Sequence, residues 1–305
     1  MTAERAGGVL LHPSSLPGPH GSGDFGAAAY HFVDWLAVAG QRLWQILPLG
    51  PLGPGASPYM SPSAFGLNPL MVDLDDLVRR GWLAEGALRQ AADEAGLSGG
   101  GDPRRIDFAR VAAFRGTLLR AAARSFLAQP AADPEYAAFC EREREWLEEY
   151  AAFMAIVTLH PRGEDWPPAL RRREPEALRD LCADHAGELE FWKFVQWVAA
   201  RQWAAVRDYA RGKGVRIIGD IPIFVAPDSV DVWAHPELFE LDGDLRPGRV
   251  AGVPPDYFSD TGQRWGNPLY RWARHRASGF AWWIRRLRAA LGQACLLYTS
   301  PSPRD

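Results

Sequence analysis

Val215-Arg216-Ile217-Ile218, followed at once by Gly219-Asp220, limits what this chain can fold into more than any other stretch. A short β-branched run of this kind fills a buried parallel strand. It ends on a carboxylate, and the C-terminal ends of parallel strands are where α/β barrels keep their chemistry. Asp220 is therefore a candidate site residue. Farther on, Val250 to Tyr270 holds Gly252, Pro254, Pro255, Gly262, Gly266 and Pro268, too many breakers for a helix, yet also Tyr257, Phe258, Trp265 and Tyr270. Sugar rings stack their apolar faces on aromatic rings, and their hydroxyl rims need amides, carboxylates and guanidinium groups. Asp256, Asp260, Gln263, Arg264 and Asn267 supply those groups, so the stretch reads as a polysaccharide-binding loop. The alternative is an ordinary loop whose aromatics pack beneath it as a satellite core.

Upstream, Gly8 to Leu11 reads as strand one, running into the rigid loop His12-Pro13-Ser14-Ser15-Leu16-Pro17-Gly18. His12, at the strand end, is either a hydrogen-bonded core histidine or a ligand contact. Phe25, Ala29, Phe32, Trp35, Leu36 and Ala39 recur at steps of three and four, which predicts an amphipathic helix ending at Gly40. Arg42 to Leu47 is then strand two, and the three pieces form a βαβ unit. The next segment is broken by Gly50, Pro51, Gly53, Pro54, Gly55, Pro58, Pro62, Gly66 and Pro69 and kept polar by Ser57, Tyr59, Ser61 and Ser63. Ordered loops of this length after a strand are usually functional. A brief strand is expected over Leu70 to Leu74, a helix from Leu74 to about Gly81, and mostly helical pattern over residues 83–210. Trp146, Phe153, Phe191, Trp192, Phe194, Trp197 and Trp203 recur there at helical spacing as packing core. After strand three, Phe280, Trp283, Ile284, Leu287 and Leu291 mark one face of a further amphipathic helix, with Gly292 closing it.

Composition narrows the function class. The 305 residues are 47% hydrophobic with a net charge of −3, an ordinary globular balance with no sign of nucleic-acid binding. The densest basic cluster, Arg171 to Arg173, is answered by Glu174 and Glu176. Cys140, Cys182 and Cys295 are too widely spaced for a disulfide framework or a zinc site. The N-terminus lacks an apolar leader and no segment reads as a membrane helix, so the expected location is cytoplasmic. Thirteen Trp residues suit a protein that handles carbohydrate.

Four stretches carry a resemblance to a known family: GVLLHPSSLPGPHGSGDFG, LWQILPLGPLGPGASPYMSPSAFGLNP, VRIIGDIPIFVAPDSVDVWAHPELF and VAGVPPDYFSDTGQRWGNPLYRW, spread over Gly8 to Trp272. Through them the chain closely resembles the amylomaltases, the 4-α-glucanotransferases of glycoside hydrolase family 77. The resemblance implies an α/β fold, the N-terminal part of a (β/α)8 TIM barrel with about three strands and a large helical insertion between strands two and three. It implies transfer of α-1,4-glucan segments between maltooligosaccharides, without metal or organic cofactor. The family retains anomeric configuration, using two carboxyl groups about 5 Å apart and a covalent glycosyl-enzyme intermediate. Asp220 resembles the strand-three aspartate that binds glucose hydroxyls near the cleavage point. Ser57 and Tyr59 resemble donor and acceptor contacts. Residues 250–265 resemble the mobile loop over the cleft, and Trp265 resembles the tryptophan at its base that touches sugar. From the aromatic and polar groups of Val250 to Tyr270, the candidate substrate contacts here are Asp256, Tyr257, Phe258, Gln263, Trp265 and Asn267.

The sequence also departs from the family. The nucleophile is expected at the end of strand four, in a segment resembling RIDHF, and no such segment is found, so no catalytic carboxylate is assigned and the chain as written is expected to be inactive. Cys295 to Asp305 resembles one translated frame of a sequencing adaptor. The expected organisation is residues 1–55 for strands one and two, 56–205 for the loop and helical insertion, 206–292 for strand three, its loop and helix, and 293–305 for a non-native tail. A short open sheet follows from this, with strand three unpaired at its far edge, barrel-facing side chains such as Ile217 uncovered, and no structure after Gly292. The competing readings are a non-catalytic α-glucan-binding protein and an α-amylase-like hydrolase.

Overall fold

The computed structural model describes residues 5–297 apart from Pro103, residues 130–132 and Phe258. Strand β1 (Gly8–Leu10) leads through a 3-10 turn at Pro13–Ser15 to helix α1 (Ala27–Val38), and β2 (Leu43–Gln45) follows. Ala29, Val33 and Leu36 form the buried stripe of α1, and Gly40 adopts the left-handed conformation (φ 70°) just past its end. Trp35 shares the predicted stripe but is half exposed, stacked on Phe32.

Beyond β2 the backbone is irregular as far as Asp73, with 3-10 turns at Pro54–Ala56 and Pro69–Met71. The brief strand expected over residues 70–74 is not there. Pro69 has no N–H to give a ladder, and Asn68 caps a 3-10 turn instead, accepting from the Leu70 N–H at 3.0 Å. Asp73 caps α2 (Leu74–Arg79) in the same way, accepting from the Asp75 N–H at 2.9 Å. A helical region follows: α3 (Glu85–Glu94), α4 (Phe108–Leu127), α5 (Pro134–Arg142), α6 (Arg144–Leu159), α7 (Pro168–Arg171), α8 (Pro175–Asp184) and α9 (Ala186–Gly212). The aromatics placed at helical spacing do pack there: Phe191, Phe194, Trp197 and Trp203 join the main core, and Phe153 a second one. The boundary expected at residue 205 falls inside α9, a continuous helix of 27 residues that packs on α1, α4, α6 and strand β3 (Arg216–Gly219). Helix α9 therefore belongs to both the helical region and the sheet. Among the described residues no helix is long and apolar enough to cross a membrane.

Past β3 the chain forms a short helix α10 (Val230–Ala234), then strands β4 (Val250–Val253) and β5 (Gln263–Pro268), then α11 (Trp272–Ala277), α12 (Ala281–Gln293) and β6 (Leu296–Leu297). The segment read as an irregular aromatic loop is a two-stranded antiparallel ribbon, pairing Gly252 with Arg264 and Val253 with Gln263. Its glycines made it look unstructured, but Gly262 (φ 74°) and Gly266 (φ 85°) supply the left-handed backbone that bends the ribbon.

The main sheet is parallel, in the order β1-β2-β3-β6. It corrects two expectations. A fourth strand is present where none was expected: Leu296 and Leu297 pair with Ile218 and Gly219, and the Cys295 N–H donates to Ile217 O at 2.9 Å. The unpaired edge of β3 is satisfied by the first short apolar stretch after α12, because edge N–H and C=O groups accept any extended backbone within reach. Residues 298–305 of the expected tail lie outside the described residues. The phase of the strands is also shifted by one. Ile217 is fully buried with Trp44 on the helix-covered face, whereas Leu10 (55% exposed), Gln45, Ile218 and Leu296 line the open face. Side chains alternate with period two, and an almost unbroken apolar run such as Val215 to Ile218 carries no mark of which face is which.

Helix α12 is also rotated from expectation. Phe280, Ile284, Leu287 and Leu291 are exposed, and Trp282, Arg286 and Ala290 face inward. The strand phase yields a measurable contrast. Ile217→Ala should cost about 2–5 kcal/mol and Leu10→Ala less than about 0.5 kcal/mol in urea unfolding; equal losses would put the helix-covered face on the wrong side.

Candidate functional site

Asp220 follows β3 directly, as the strand-end argument requires, and its Oδ2 accepts a hydrogen bond from the Tyr59 hydroxyl at 2.8 Å. Two residues 161 positions apart in the chain thus meet across one cleft. Tyr59 is 43% exposed. Burial, the hydrogen bond to Asp220 and that carboxylate's charge together push its pKa up to about 12, so it remains a neutral donor. Phe224, Pro222, Arg286 and Gly50 line the same cleft. The cleft measures about 40 Å³, room for a few waters.

The Tyr59 loop is held in shape by its own serines. Ser57 Oγ accepts from the Tyr59 N–H at 3.3 Å, and Ser63 Oγ accepts from the Phe65 and Gly66 N–H groups at 3.2 and 2.9 Å. Ser57 is therefore engaged in a local turn beside Tyr59. Buried Asp231 of α10 ties the loop to the opposite wall, its Oδ2 accepting from the Ala64 N–H at 2.8 Å while the Val230 N–H donates to Pro62 O at 2.9 Å.

The ribbon residues divide. Trp265 is 42% exposed, its indole N–H donating to Gln263 Oε1 at 3.0 Å, and its ring meets Phe224 of the cleft wall at 6.4 Å. Tyr257, at the tip, is 94% exposed. Asp256 Oδ1 accepts from the Ser259 N–H at 2.9 Å and shapes the tip turn. Phe258 lies outside the described residues. Asn267 corrects the sequence reading: it is 4% exposed and its Nδ2 donates to Val225 O at 2.7 Å, so it anchors the segment after β3 and is not presented to a ligand. His12 is a core histidine. It is buried, and burial lowers its pKa to about 4 against a hydrogen bond with the Leu47 backbone.

Sequence reasoning gave no role to Arg286 or Asp231 and read Tyr270 as part of the aromatic loop; all three are buried. Arg286 is one of three arginines in this helix, with Arg285 and Arg288, and only its place one helical turn after Trp282 set it apart. Among the described residues no group of three or more His, Cys, Asp or Glu side chains could hold a metal ion.

Next to the site, His235 bridges two parts of the fold, its Nε2 lying 3.2 Å from Glu149 Oε2 of α6 and its Nδ1 3.8 Å from Glu237. Burial lowers its pKa, but the hydrogen bond and charge of Glu149, with Glu237 and Asp231, outweigh burial and leave it above the ordinary 6.5. A raised histidine pKa gives stability that is complete below pH 6.5 and fades as pH rises through the folded value. The Tm difference between wild type and His235→Gln should accordingly be larger at pH 6 than at pH 9; a gap that does not change with pH would leave the bridge without a role.

Comparison with known proteins bears on this site. The glycoside hydrolase family 77 model, described as 4-alpha-glucanotransferase, matches residues 11–297. The 4-alpha-glucanotransferase of Thermus thermophilus is 50% identical over 295 residues, covering 95% of this chain and 57% of the relative, and that of Synechocystis is 44% identical over 296 residues with the same coverage. The chain thus spans little more than half the length of these relatives. Among solved structures, the amylomaltase from Streptococcus agalactiae in complex with acarbose superposes with a TM-score of 0.89 at 40% identity, over 96% of this chain and 59% of that one. The amylomaltase from Corynebacterium glutamicum shares the fold, with a TM-score of 0.71 at 20% identity, over 96% of this chain and 40% of that one.

Proposed function

Because this chain belongs to the 4-alpha-glucanotransferase family, we propose that its Tyr59–Asp220 cleft binds α-1,4-linked glucan and positions it for transfer between maltooligosaccharides. The observation that carries the reading is the meeting of Tyr59 and Asp220 at 2.8 Å, with exposed Trp265 one ring away through Phe224. A carboxylate and a phenol can share the hydroxyls of one sugar, and an exposed indole offers a face to the next ring. Ser57, Asp256, Tyr257 and Gln263 form the outer contacts, arranged on the Tyr59 loop and the ribbon. The parallel sheet is the opening of a (β/α)8 barrel, with residues 56–205 as a helical elaboration after its second strand. The protein works in the cytoplasm.

Transfer itself, a retaining double displacement between two carboxyl groups, is proposed for a polypeptide that includes the remaining length of the relatives. Glucan binding is proposed for the chain as it stands. None of the residues assigned here attacks the sugar: Asp220 and Tyr59 hold it.

Titration with maltoheptaose, followed by tryptophan fluorescence and calorimetry, tests the reading. Asp220→Ala should weaken binding by roughly tenfold or more, the loss of a hydrogen bond to a charged group, and Tyr59→Phe by less. In a protein of the relatives' full length, Asp220→Ala should lower kcat/KM for maltotriose disproportionation with the Tm preserved. Wild-type affinity in the Asp220→Ala variant would reduce Asp220 to a structural strand-end residue.

A further inference from the structure

The segment that leads on from Asp220 along the cleft has almost no backbone support of its own. Among the described residues, none of the backbone groups of residues 221–225 bonds to another backbone group. Side chains hold it instead. The Tyr270 hydroxyl donates to Ile223 O at 2.8 Å, Asn267 Nδ2 donates to Val225 O, and Arg286 Nη2 donates to Pro222 O. Arg286 Nη1 reaches the Tyr270 oxygen at 3.1 Å and Ile223 O at 3.5 Å.

Arg286 is an unusual tenant of this position. It is 2% exposed, comes from helix α12, and among the described residues its guanidinium bonds carbonyls and a phenol but no carboxylate. Its Nε has no hydrogen-bond partner among the described residues. Its charge is accommodated by the faces of Trp282 and Trp283, 5.2 and 5.1 Å from the guanidinium carbon, and through space by buried Asp231. Asp231 Oδ1 in turn accepts from the Trp282 indole N–H at 3.3 Å, and its Oδ2 holds the Tyr59 loop at Ala64. The two cleft walls are therefore referenced to one helix: the Asp220 wall through Arg286, and the Tyr59 wall through Asp231 and Trp282.

We propose that Arg286 is a positioning residue for Asp220, fixing the segment after β3 so that the carboxylate stays opposed to Tyr59. The rigid planar fork of an arginine holds two carbonyls and a phenol in one fixed geometry, whereas the three donors of a lysine radiate from a single nitrogen and fix no such plane. Removal of Arg286 would leave the part-buried Pro222 carbonyl without this donor and Ile223 O with Tyr270 alone, freeing the segment toward water. The role of Arg286 in ligand binding rests on the glucan reading above; its role in ordering the segment does not.

The test uses the full 305-residue chain with Arg286→Met, Arg286→Lys and, as a milder perturbation that keeps the core filled, Tyr270→Phe. The first readout is limited chymotrypsin cleavage at Phe224, followed by mass spectrometry, beside the Tm of each variant. The second is maltoheptaose affinity, measured alone and combined with Asp220→Ala. Arg286→Met should accelerate cleavage at Phe224 and weaken maltoheptaose binding, each by about tenfold, with Arg286→Lys and Tyr270→Phe smaller in the same direction. In the Asp220→Ala background the Arg286→Met loss of affinity should nearly vanish, because a residue acting through Asp220 has nothing left to position. Unchanged cleavage at Phe224 in Tyr270→Phe and Arg286→Lys overturns the proposal, as does an affinity loss that adds fully to that of Asp220→Ala. Accelerated cleavage in a chain whose wild type does not bind maltoheptaose supports the positioning role and overturns the glucan reading alone.

Discussion

Much of this structure depends on one constraint: a backbone that prolines and glycines keep out of helices and strands must still find partners for its buried N–H and C=O groups. Here side chains provide them. Gln196 of α9 accepts from the Leu67 N–H at 2.7 Å and donates to Leu67 O at 2.9 Å, so one amide side chain acts as a strand of one residue. Six positions along the same helix, Gln202 does the same for Asp73, at 2.8 and 3.1 Å. Both glutamines are buried, and both clamp the irregular segment that begins with the Tyr59 loop. Asn267, Tyr270 and Arg286 do the equivalent work after β3. The loops that form the cleft thus have side-chain partners for their backbone groups, although they contain little regular structure.

This explains what the sequence revealed and what it withheld. The first three parallel strands, the helical region and the place of Asp220 at a strand end were legible from apolar periodicity and breaker placement, whereas the ribbon β4–β5 and strand β6 were not. Neither was strand phase. Ile217 and Ile218 are chemically alike, and only their neighbours decide that one meets the helices and the other the open face. Helix α12 misled for a related reason: its most apolar stripe is exposed, and its inward face carries an arginine whose partners are carbonyls of a distant loop. Asn267 has the functional groups of a sugar contact, but the same amide bonds Val225 O. A polar residue's chemistry is visible in sequence; whether ligand or backbone uses it is a fact of tertiary structure.

The core beneath the site reinforces this division of labour. Trp44 of β2 donates its indole N–H to Leu11 O at 2.7 Å, and Trp203 of α9 donates to Gln293 O at 2.7 Å, so two buried indoles join the sheet and its helices to the ends of neighbouring elements. Arg115 and Asp24, both buried, pair at 2.9 Å and tie the loop after β1 to α4. Such a pair adds little net stability, but losing either partner leaves an uncompensated buried charge. It therefore selects one docking of α4 on the first loop more than it strengthens that docking.

The last strand acts on the sheet as a tethered ligand. Only Ala294 and Cys295 separate α12 from β6, and short connections of this sort hold a segment near its binding edge at an effective concentration on the order of millimolar. What β3 recognises is the extended backbone of Leu296 and Leu297, since the pairing runs through main-chain groups. Occupancy of that edge is thus governed by proximity: a free peptide or another chain would have to outcompete a resident already at hand. The two residues of β6 therefore shift the sheet's edge outward by one short strand, from β3 to β6, with β1 as the other edge.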